Sequence, residues 1–216
     1  MKIYKKISSL QEVNNLIFIQ NKISCPKYIQ HYKENNQIIL EMEWIEGQTL
    51  FNIMNTNKMS DTQNEKIVSN IIKEINKLRN LKYNEININK TINDSIFNQL
   101  NFTNEKELNK IILSQIKNDN LYYICNKILP KNSKFFLSHG ELFSENIIVK
   151  KDLSIVFTNW KNMTYLPEYW DYIKILIPCT SNNKIQQKII TKIKSKMNIL
   201  ILILCFDLII NDIINN

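Results

Sequence analysis

The chain has 216 residues, a length that suits one domain or two small lobes sharing a core. Hydrophobic residues make up 44% and charged residues 22%, which excludes wholesale disorder. The formal net charge is +8, but Arg79 is the only arginine and the lysines are scattered, so the charge pattern does not favour a dedicated nucleic-acid function.

Neither end of the chain predicts membrane insertion. No apolar signal-peptide core follows the N-terminal residues. Residues 199–210 form a dense apolar run, but it is shorter than a membrane-spanning helix and Asp207 interrupts it. The four cysteines are far apart and show no metal-ligand spacing, which is typical of reduced thiols. We therefore expect a cytoplasmic protein with a buried C-terminal helix.

The first predicted element is an amphipathic helix over residues 10–22. Pro26 would end it, because proline disfavours helical geometry in the residue before it. The apolar residues predicted to share one face of this helix are Leu10, Val13, Leu16, Ile17 and Phe18.

Two strands and a helix are predicted next. Residues 28–32 and 38–44 have strand patterns and are joined by a polar turn over residues 33–36. Gly47 breaks the second strand, and a helix follows from about Leu50.

A longer helix follows, with apolar residues at three- and four-residue spacing from Ile67 to Leu78 and with Asp61 as its predicted N-cap. Residues 83–101 are rich in asparagine and weakly periodic, which predicts a loop. Helical periodicity returns over residues 104–129.

The pattern changes after Pro130. Residues 135–138, 147–149 and 155–157 are short apolar segments separated by polar turns, which predicts three strands. The chain from Pro167 onward has a helical pattern. The order of elements predicts an α+β protein, with a small mixed segment followed by a mostly helical lobe that contains a strand cluster.

The chain has only two glycines, and each follows a predicted strand. Gly47 lies in the segment M-E-W-I-E-G-Q-T-L over residues 42–50, and Gly140 lies in H-G-E-L-F-S-E-N-I-I-V over residues 139–149. Because glycine permits positive φ or close backbone approach, we expect an unusual backbone at both positions.

Four segments resemble the aminoglycoside phosphotransferase and choline-kinase-like family. Residues 139–149 resemble its catalytic loop, H-G-D-L-x-x-x-N-I-I-V, and residues 155–161 (I-V-F-T-N-W-K) resemble its I-I-D-W-E segment. Residues 167–174 (P-E-Y-W-D-Y-I-K) are similar to the P-E-Y-W-E-Y-V-K signature of one branch, and residues 42–50 are similar to its hinge. The resemblance implies a protein-kinase-like two-lobed fold.

The resemblance also implies the division of the chain and its active-site residues. Residues 1–46 would form a truncated N-lobe with the hinge, and residues 47–216 a mostly helical C-lobe carrying the catalytic-loop and metal-loop strands. Glu141 would orient the attacking hydroxyl, with His139 beside it as a second catalytic-loop residue. The implied magnesium ligands are Asn146 and Asn159.

The nucleotide, ATP or GTP with Mg²⁺, would be held by the N-lobe and the hinge. Lys2 lies where the family has the strand lysine that contacts the phosphates, with Lys5 and Lys6 as close competitors, and Glu12 would be its helix partner. The implied hinge contacts to the base are Glu43, Trp44 and Ile45. Because tryptophans bury a large area, Trp44, Trp160 and Trp170 are expected to pack in the core or between the lobes.

Three departures from the family pattern bear on activity. Position 141 carries Glu instead of Asp, and position 159 carries Asn instead of the metal-binding Asp. A neutral amide is a poor ligand for Mg²⁺. No Gly-x-Gly segment precedes the lysine strand, so a lid over the phosphates is not expected.

These departures favour a degenerate family member, a pseudokinase or weak nucleotide-binding module, over an active phosphotransferase acting on a hydroxyl of a small molecule. A lysine-rich accessory protein of a nucleoprotein assembly is a second alternative. We expect a monomer that contacts no membrane, with a nucleotide and a small-molecule acceptor as ligands and a protein partner if it is a pseudokinase.

Overall fold

The computed structural model describes residues 2–56, 58–83, 135–167, 170–176 and 184–193. These residues form a small N-terminal sheet with one packed helix, followed by a part in which helices surround short antiparallel strands. The expected α+β class is confirmed.

The N-terminal sheet has three antiparallel strands in the order β1-β3-β2. Strand β1 is Ile3–Ser8, β2 is Tyr28–Glu34 and β3 is Gln37–Glu43. Helix α1, Leu10–Ile19, follows β1 directly and is separated from β2 by a short connection. The central strand β3 ends at the predicted hinge, so the sheet and the hinge are one continuous segment of chain.

The turn between β2 and β3 is shorter than predicted. Both strands extend into the polar segment, and only Asn35 and Asn36 remain as turn residues. Their φ angles are 48° and 64°, the left-handed pair that a two-residue hairpin turn requires and that asparagine tolerates. The predicted turn over residues 33–36 is therefore too long.

Helix α1 starts and stops through local signals. The Ser9 side chain caps its N-terminus by accepting a hydrogen bond from Glu12 N at 3.2 Å. The helix ends at Ile19, well before Pro26, because Gln20 leaves helical geometry with ψ 141° and Asn21, with φ 66°, completes a tight turn in which Lys22 N donates to Ile19 O. The predicted end of this helix is therefore wrong, since this turn stops it before the proline does.

The buried face of α1 also differs from the predicted apolar face. Leu10 and Ile17 are exposed, at 52% and 41% of their surface. Two polar residues replace them on the buried face because both have partners inside the protein; Asn15 Nδ2, for example, donates to Trp160 O at 2.8 Å. The buried residues of α1 are Glu12, Val13, Asn15, Leu16 and Ile19.

Two helices follow the hinge. After the short strand β4, Gln48–Thr49, the chain forms α2, Leu50–Thr56, and α3, Asp61–Arg79. The N-cap of α3 is Ser60, which forms a capping box with Gln63. The predicted cap, Asp61, is instead the first helical residue.

Three of the four later strands match the prediction. Strands β5 (Phe135–Ser138), β6 (Ile147–Val149) and β7 (Ile155–Phe157) have the predicted bounds. Strand β8, Thr164–Pro167, was not predicted and pairs antiparallel with β5. Strands β4, β6 and β7 form a separate three-stranded antiparallel sheet. The catalytic-loop motif leads into β6, and the metal-loop motif follows β7.

The last described helices are α4, Trp170–Leu176, and α5, Lys184–Ile193. Helix α5 packs on α3, and Lys188 Nζ lies 2.7 Å from Glu65 Oε2. The predicted loop at 83–101 (apart from Tyr83), helix at 104–129 and apolar run at 199–210 lie outside the described residues. Within the described ranges, no helix has the length and apolarity needed to cross a bilayer.

One hydrophobic cluster joins the N-terminal sheet to the helical part. It includes Leu16 of α1 and Leu40 of β3 together with Ile71 of α3 and Phe157 of β7, all fully or almost fully buried. Because these side chains share one core, the hinge and the strand turns are fixed relative to each other. A cleft lies between them.

Candidate functional site

A lysine from β1 and a glutamate from α1 form an ion pair at the inner edge of the N-terminal sheet. Lys6 Nζ lies 2.7 Å from Glu12 Oε1, and the Glu12 side chain is only 4% exposed. The other carboxylate oxygen accepts a hydrogen bond from Ser8 Oγ at 2.7 Å. Both oxygens of this buried carboxylate are therefore bonded, which fixes the ammonium group in place.

The structure brings Lys6, and not Lys2, to Glu12. Strand β1 runs through Ser8 straight into α1, so only the end of the strand approaches the first helical turn. Lys2 precedes Lys6 by four residues, about 13 Å along a strand, and is exposed. Lys5 points to the opposite face of the sheet, where its Nζ lies 2.6 Å from Glu41 Oε1.

The loop after β5 is held by a buried aspartate of α4. Asp171 Oδ2 accepts from His139 N at 3.0 Å, and Oδ1 accepts from Gly140 N at 3.2 Å. Trp170 Nε1 donates to Gly140 O at 2.8 Å. Gly140 has φ 88°, and a Cβ there would lie 2.1 Å from Asn162 O, so only glycine fits.

Asp171 is a site residue that the sequence did not reveal. Its segment was recognised as a family signature, but the bonding partners of the carboxylate are backbone N–H groups, which leave no trace in the sequence. Burial raises the pKa of Asp171 to about 6, and the two backbone N–H groups and Arg79 partly oppose this rise. The one sequence signal for this role was a carboxyl residue in an otherwise apolar predicted helix, together with a loop that contains glycine.

His139 is fully buried and acts on the loop from inside the protein. Its Nε2 donates to Thr158 O at 2.8 Å, and its ring lies 4.4 Å from that of Trp160. Burial lowers the pKa of His139 to about 4, so the imidazole is neutral at pH 7. It ties the catalytic loop to the strand turn after β7, which makes it a positioning residue.

Asn146 is oriented by the same loop. Its Nδ2 donates to Glu141 O at 2.7 Å, and its backbone carbonyl accepts from Thr158 N at 2.9 Å. In the described part of the chain, Asn146 Oδ1 has no hydrogen-bond donor, and the side chain lines the cleft. The Glu141 side chain is partly buried and does not line the cleft, although its carbonyl is linked to it through Asn146.

Asn159 lies at the turn after β7 and faces the lysine of β1. It has a left-handed backbone, with φ 66°, a conformation that asparagine tolerates better than most residues. Lys6 Nζ donates to Asn159 Oδ1 at 3.4 Å. The position that carries the metal-binding acid in the family pattern is thus occupied by an amide whose oxygen is turned toward an ammonium group.

These residues enclose a cleft of about 380 Å³ between β1, the hinge, β6 and the turn after β7. Lys6, Asn146 and Asn159 form its polar end. The residues lining the rest of the cleft are Tyr4, Pro26, Met42, Glu43, Trp44, Ile45, Ile148 and Thr158. The described side chains thus give one polar end and a longer, mainly apolar wall.

Two of the three hinge N–H groups are used inside the protein. Glu43 N donates to Lys27 O at 2.9 Å, and Trp44 N donates to Lys2 O at 3.0 Å. Within the described ranges, Ile45 N donates no hydrogen bond, although the residue is buried. A ligand that reaches the hinge would therefore find one available N–H donor.

Trp44 does not pack in the core. Its side chain is 49% exposed, and its ring lies 5.8 Å from that of Tyr4 at the cleft wall. The neighbouring hinge residue Ile45 is buried, whereas Trp44 lies at the surface of the cleft. Trp160, by contrast, is 1% exposed and belongs to the core.

The oxygen ligands that the cleft side chains offer do not suit a magnesium ion. Asn146 and Asn159 are neutral amides, and the oxygen of the second already accepts a bond from Lys6. Among the described residues, no three His, Cys, Asp or Glu side chains are grouped to hold a metal. Mg²⁺ is a hard cation that prefers carboxylates and phosphates, so the protein itself supplies too little charge.

Solved structures share the fold of this chain. No family model and no curated protein matches the sequence. An aminoglycoside-3′-phosphotransferase of type VIII superposes with a TM-score of 0.62 at 10% identity, over 96% of this chain and 84% of that one. The ADP-bound aminoglycoside phosphotransferase APH(2″)-Ib gives 0.61 at 14% identity, over 91% and 72%.

Kinases of small alcohols share the fold of this chain as well. Choline kinase LicA from Streptococcus pneumoniae superposes with a TM-score of 0.53 at 13% identity, over 88% of this chain and 66% of that one. An ethanolamine kinase from Plasmodium vivax gives 0.53 at 16% identity, over 93% and 66%. The chain therefore has the protein-kinase-like fold of the aminoglycoside phosphotransferases and the choline and ethanolamine kinases, as its sequence motifs imply.

Proposed function

We propose that this protein is a degenerate phosphotransferase, a pseudokinase that binds a nucleotide weakly in the cleft, does so without requiring Mg²⁺, and transfers no phosphoryl group. The observation that carries the proposal is the contact between Lys6 and Asn159. An amide stands where phosphoryl transfer needs an anionic metal ligand, and its oxygen accepts a hydrogen bond from the cleft's ammonium group.

Phosphoryl transfer depends on the metal for charge neutralisation. Mg²⁺ bridges the β- and γ-phosphates and stabilises the charge that develops during transfer. In this cleft, a cation on Asn159 Oδ1 would sit beside the Lys6 ammonium and would be repelled by it. The nearest carboxylate partner of that lysine, Glu12, has both oxygens occupied. Loss of metal binding is therefore the expected result.

Three features support nucleotide binding as the activity that remains. The cleft of about 380 Å³ falls within the size range of small-molecule sites. The hinge offers the Ile45 N–H as a donor next to an apolar wall. One of the structures that share the fold is an ADP complex, and another is a streptomycin–ATP ternary complex.

The alternative is an active phosphotransferase that acts on a hydroxyl of a small molecule. It is favoured by the order of the catalytic loop, in which Asp171 holds the backbone at Gly140 and Asn146 is bonded to Glu141 O. Glu141 would then be the catalytic carboxylate, one methylene longer than the aspartate of the family pattern. Such a displacement can cost orders of magnitude in rate.

Calorimetric titration of ATP and GTP with and without Mg²⁺ separates the two functions. We expect weak binding that Mg²⁺ does not strengthen, and no turnover of nucleotide. Asn159→Asp should introduce a Mg²⁺ dependence, because it places a carboxylate at the polar end. Asn14→Asp, the same substitution on the exposed face of α1, is the matched control and should change nothing.

One result would establish the enzyme instead. Micromolar ATP or GTP binding that depends strongly on Mg²⁺ in the wild type, with turnover that Glu141→Ala removes, would show that the two amides suffice as metal ligands.

A further inference from the structure

We propose that the outer edge of β1 is a docking site for an extended segment of another protein, with an acidic residue between apolar ones, which adds to the N-terminal sheet as a further strand. The inference goes beyond the proposed function and does not depend on what the cleft binds. In the order β1-β3-β2, strand β1 lies at the edge of the sheet and carries exposed apolar side chains. An edge strand presents unpaired backbone groups to which another chain can bond.

The register of the sheet determines which backbone groups of β1 are unpaired. Trp44 N donates to Lys2 O at 3.0 Å, and these two residues continue the register between β1 and β3. Because bonded and non-bonded pairs alternate in an antiparallel ladder, the even-numbered residues of β1 bond to β3. The N–H and C=O groups of Ile3, Lys5 and Ile7 therefore point away from β3, and no described residue pairs with them. Each offers one donor and one acceptor to an added strand.

The side chains of the same three residues indicate the chemistry of the partner. They project from the outer face of the sheet, away from the cleft, in the order apolar, basic, apolar. Ile3 and Ile7 are 48% and 63% exposed, and the Lys5 side chain is 60% exposed. A strand laid along this edge would cover both isoleucines with its own apolar residues and would place the residue between them next to Lys5.

Charge determines that the residue next to Lys5 is acidic. Gln30, Glu41 and Lys5 form one row across the outer face of the sheet. Gln30 Nε2 donates to Glu41 Oε2 at 2.9 Å, and Lys5 Nζ lies 2.6 Å from Glu41 Oε1. The next place in this row belongs to the added strand. An ammonium group has three donors, so a carboxylate at that place can bond to Lys5 as well, whereas a second lysine would be repelled.

A second copy of this chain fits the edge less well. In an antiparallel pair with a two-fold axis through Lys5, Ile3 of one copy would meet Ile7 of the other, but the two Lys5 residues would stand directly opposite each other. Like charges in that position destabilise a strand pair. The other edge of the sheet is also less suitable, because β2 has a bulge between Tyr28 and Gln30 and is mostly polar. A segment of a different protein is therefore the occupant that the charges favour.

Three short peptides of one design test this chemistry. Each has the sequence T-V-T-x-T-V-T with blocked ends, and x, which would lie opposite Lys5, is glutamate, glutamine or lysine. Binding is followed by NMR titration of the labelled protein. We expect the glutamate peptide to bind and the lysine peptide to bind about tenfold more weakly. On binding, the amides of Ile3, Lys5 and Ile7 should become protected from hydrogen exchange.

Two proline variants separate the edge of β1 from the rest of the sheet. Ile7→Pro removes an N–H that points away from β3, so the sheet keeps its own hydrogen bonds while the peptide loses one. This variant should bind the glutamate peptide at least about tenfold more weakly. Lys33→Pro removes an outward N–H from β2 in the same way and should leave peptide binding unchanged.

Lys5→Gln tests the charge without altering the backbone, and it remains informative if Ile7→Pro does not fold. The three peptides should bind to this variant within about twofold of one another, because the cation that distinguishes them is gone. A glutamate peptide that is still preferred would overturn the assignment of Lys5 as its partner.

Other outcomes overturn the proposal in different ways. Equal binding of the glutamate and lysine peptides to the wild type removes the acidic specificity. Equal weakening by the two proline variants removes the assignment to β1, and failure of all three peptides to bind shows that the edge is not a docking site. Concentration-dependent dimerisation in sedimentation equilibrium that Ile7→Pro abolishes would make a second copy the occupant. None of these results bears on the proposed function, which the nucleotide titrations test separately.

Discussion

The two turns that border the polar end of the cleft differ in what holds them. The catalytic loop after β5 is fixed through its backbone, because the N–H groups of His139 and Gly140 donate hydrogen bonds to the Asp171 carboxylate. The turn after β7 also has bonded main-chain groups at Thr158, but the Asn159 side chain at its tip is bonded across the cleft to Lys6. The bonds that Asp171 forms with the loop therefore do not involve the Glu141 side chain. The fold around the cleft can persist whether or not the cleft binds a metal ion.

The largest expected effect is at the catalytic loop. Gly140→Ala should lower the free energy of unfolding by about 4 kcal/mol, because the added methyl meets Asn162 O at 2.1 Å and the backbone has φ 88°. Urea denaturation measures it, with Glu145→Ala on the exposed part of the same loop as the control. A loss below about 1 kcal/mol would show that the loop is less rigid than its hydrogen bonds indicate.

The next effect is a pH dependence of the free energy of unfolding, in which two opposite contributions offset each other in the wild type. The pKa of Asp171 is raised to about 6 from 3.8, so its contribution to stability grows as the pH falls through this range. The pKa of His139 is lowered to about 4 from 6.5, so its contribution falls over nearly the same range. The two slopes have opposite sign, so the contributions of these two groups should largely cancel in the wild type.

Asp171→Asn removes one of the two slopes. The variant should lose about 3 kcal/mol of stability between pH 6.5 and pH 4, because only the buried imidazole then takes up a proton on unfolding. Thermal unfolding across this range measures the change. A variant whose profile runs parallel to that of the wild type would mean that His139 and Asp171 do not oppose each other.

The smallest effect compares the two neighbouring lysines of β1. Lys6→Met should cost about 2 kcal/mol, because it leaves the buried Glu12 carboxylate with Ser8 as its remaining partner. Lys5→Met should have a smaller effect, because the Lys5 side chain is 60% exposed against 23% for Lys6, although both partner carboxylates are buried. Equal losses from the two substitutions would show that the exposure of the lysine does not distinguish these pairs.

The sequence predicted the elements that carry the motifs better than the contacts between them. Strands β5, β6 and β7 were placed correctly because turn residues bound each apolar segment. Lys2 and Lys6 could not be separated in the sequence, since alternate strand residues share a face and both lysines occupy it. Their distance from Glu12 depends on how β1 enters α1, which only the three-dimensional structure gives.

Local backbone conformation was a second limit. The left-handed geometry of Asn21 completes the turn that ends α1, and that of Asn35 and Asn36 closes the first hairpin, yet a chain so rich in asparagine gives no sign of which ones adopt it. Asp171 shows the same limit for the site, because its partners are main-chain groups that every residue possesses. The motifs that define the fold can therefore be recognised in the sequence, whereas the hydrogen bonds that hold them cannot be predicted from it.

The exposed tryptophan of the hinge has an optical consequence. Trp44 stands on the cleft wall at 49% exposure, while Trp160 is sealed in the core. Iodide in solution can reach the indole of Trp44 and not that of Trp160, and Trp170 is of intermediate exposure, so quenching reports mainly on Trp44. A ligand that occupies the cleft would shield Trp44 and blue-shift its share of the fluorescence. The protein thus carries a built-in reporter of its own cleft, which Trp44→Phe would silence.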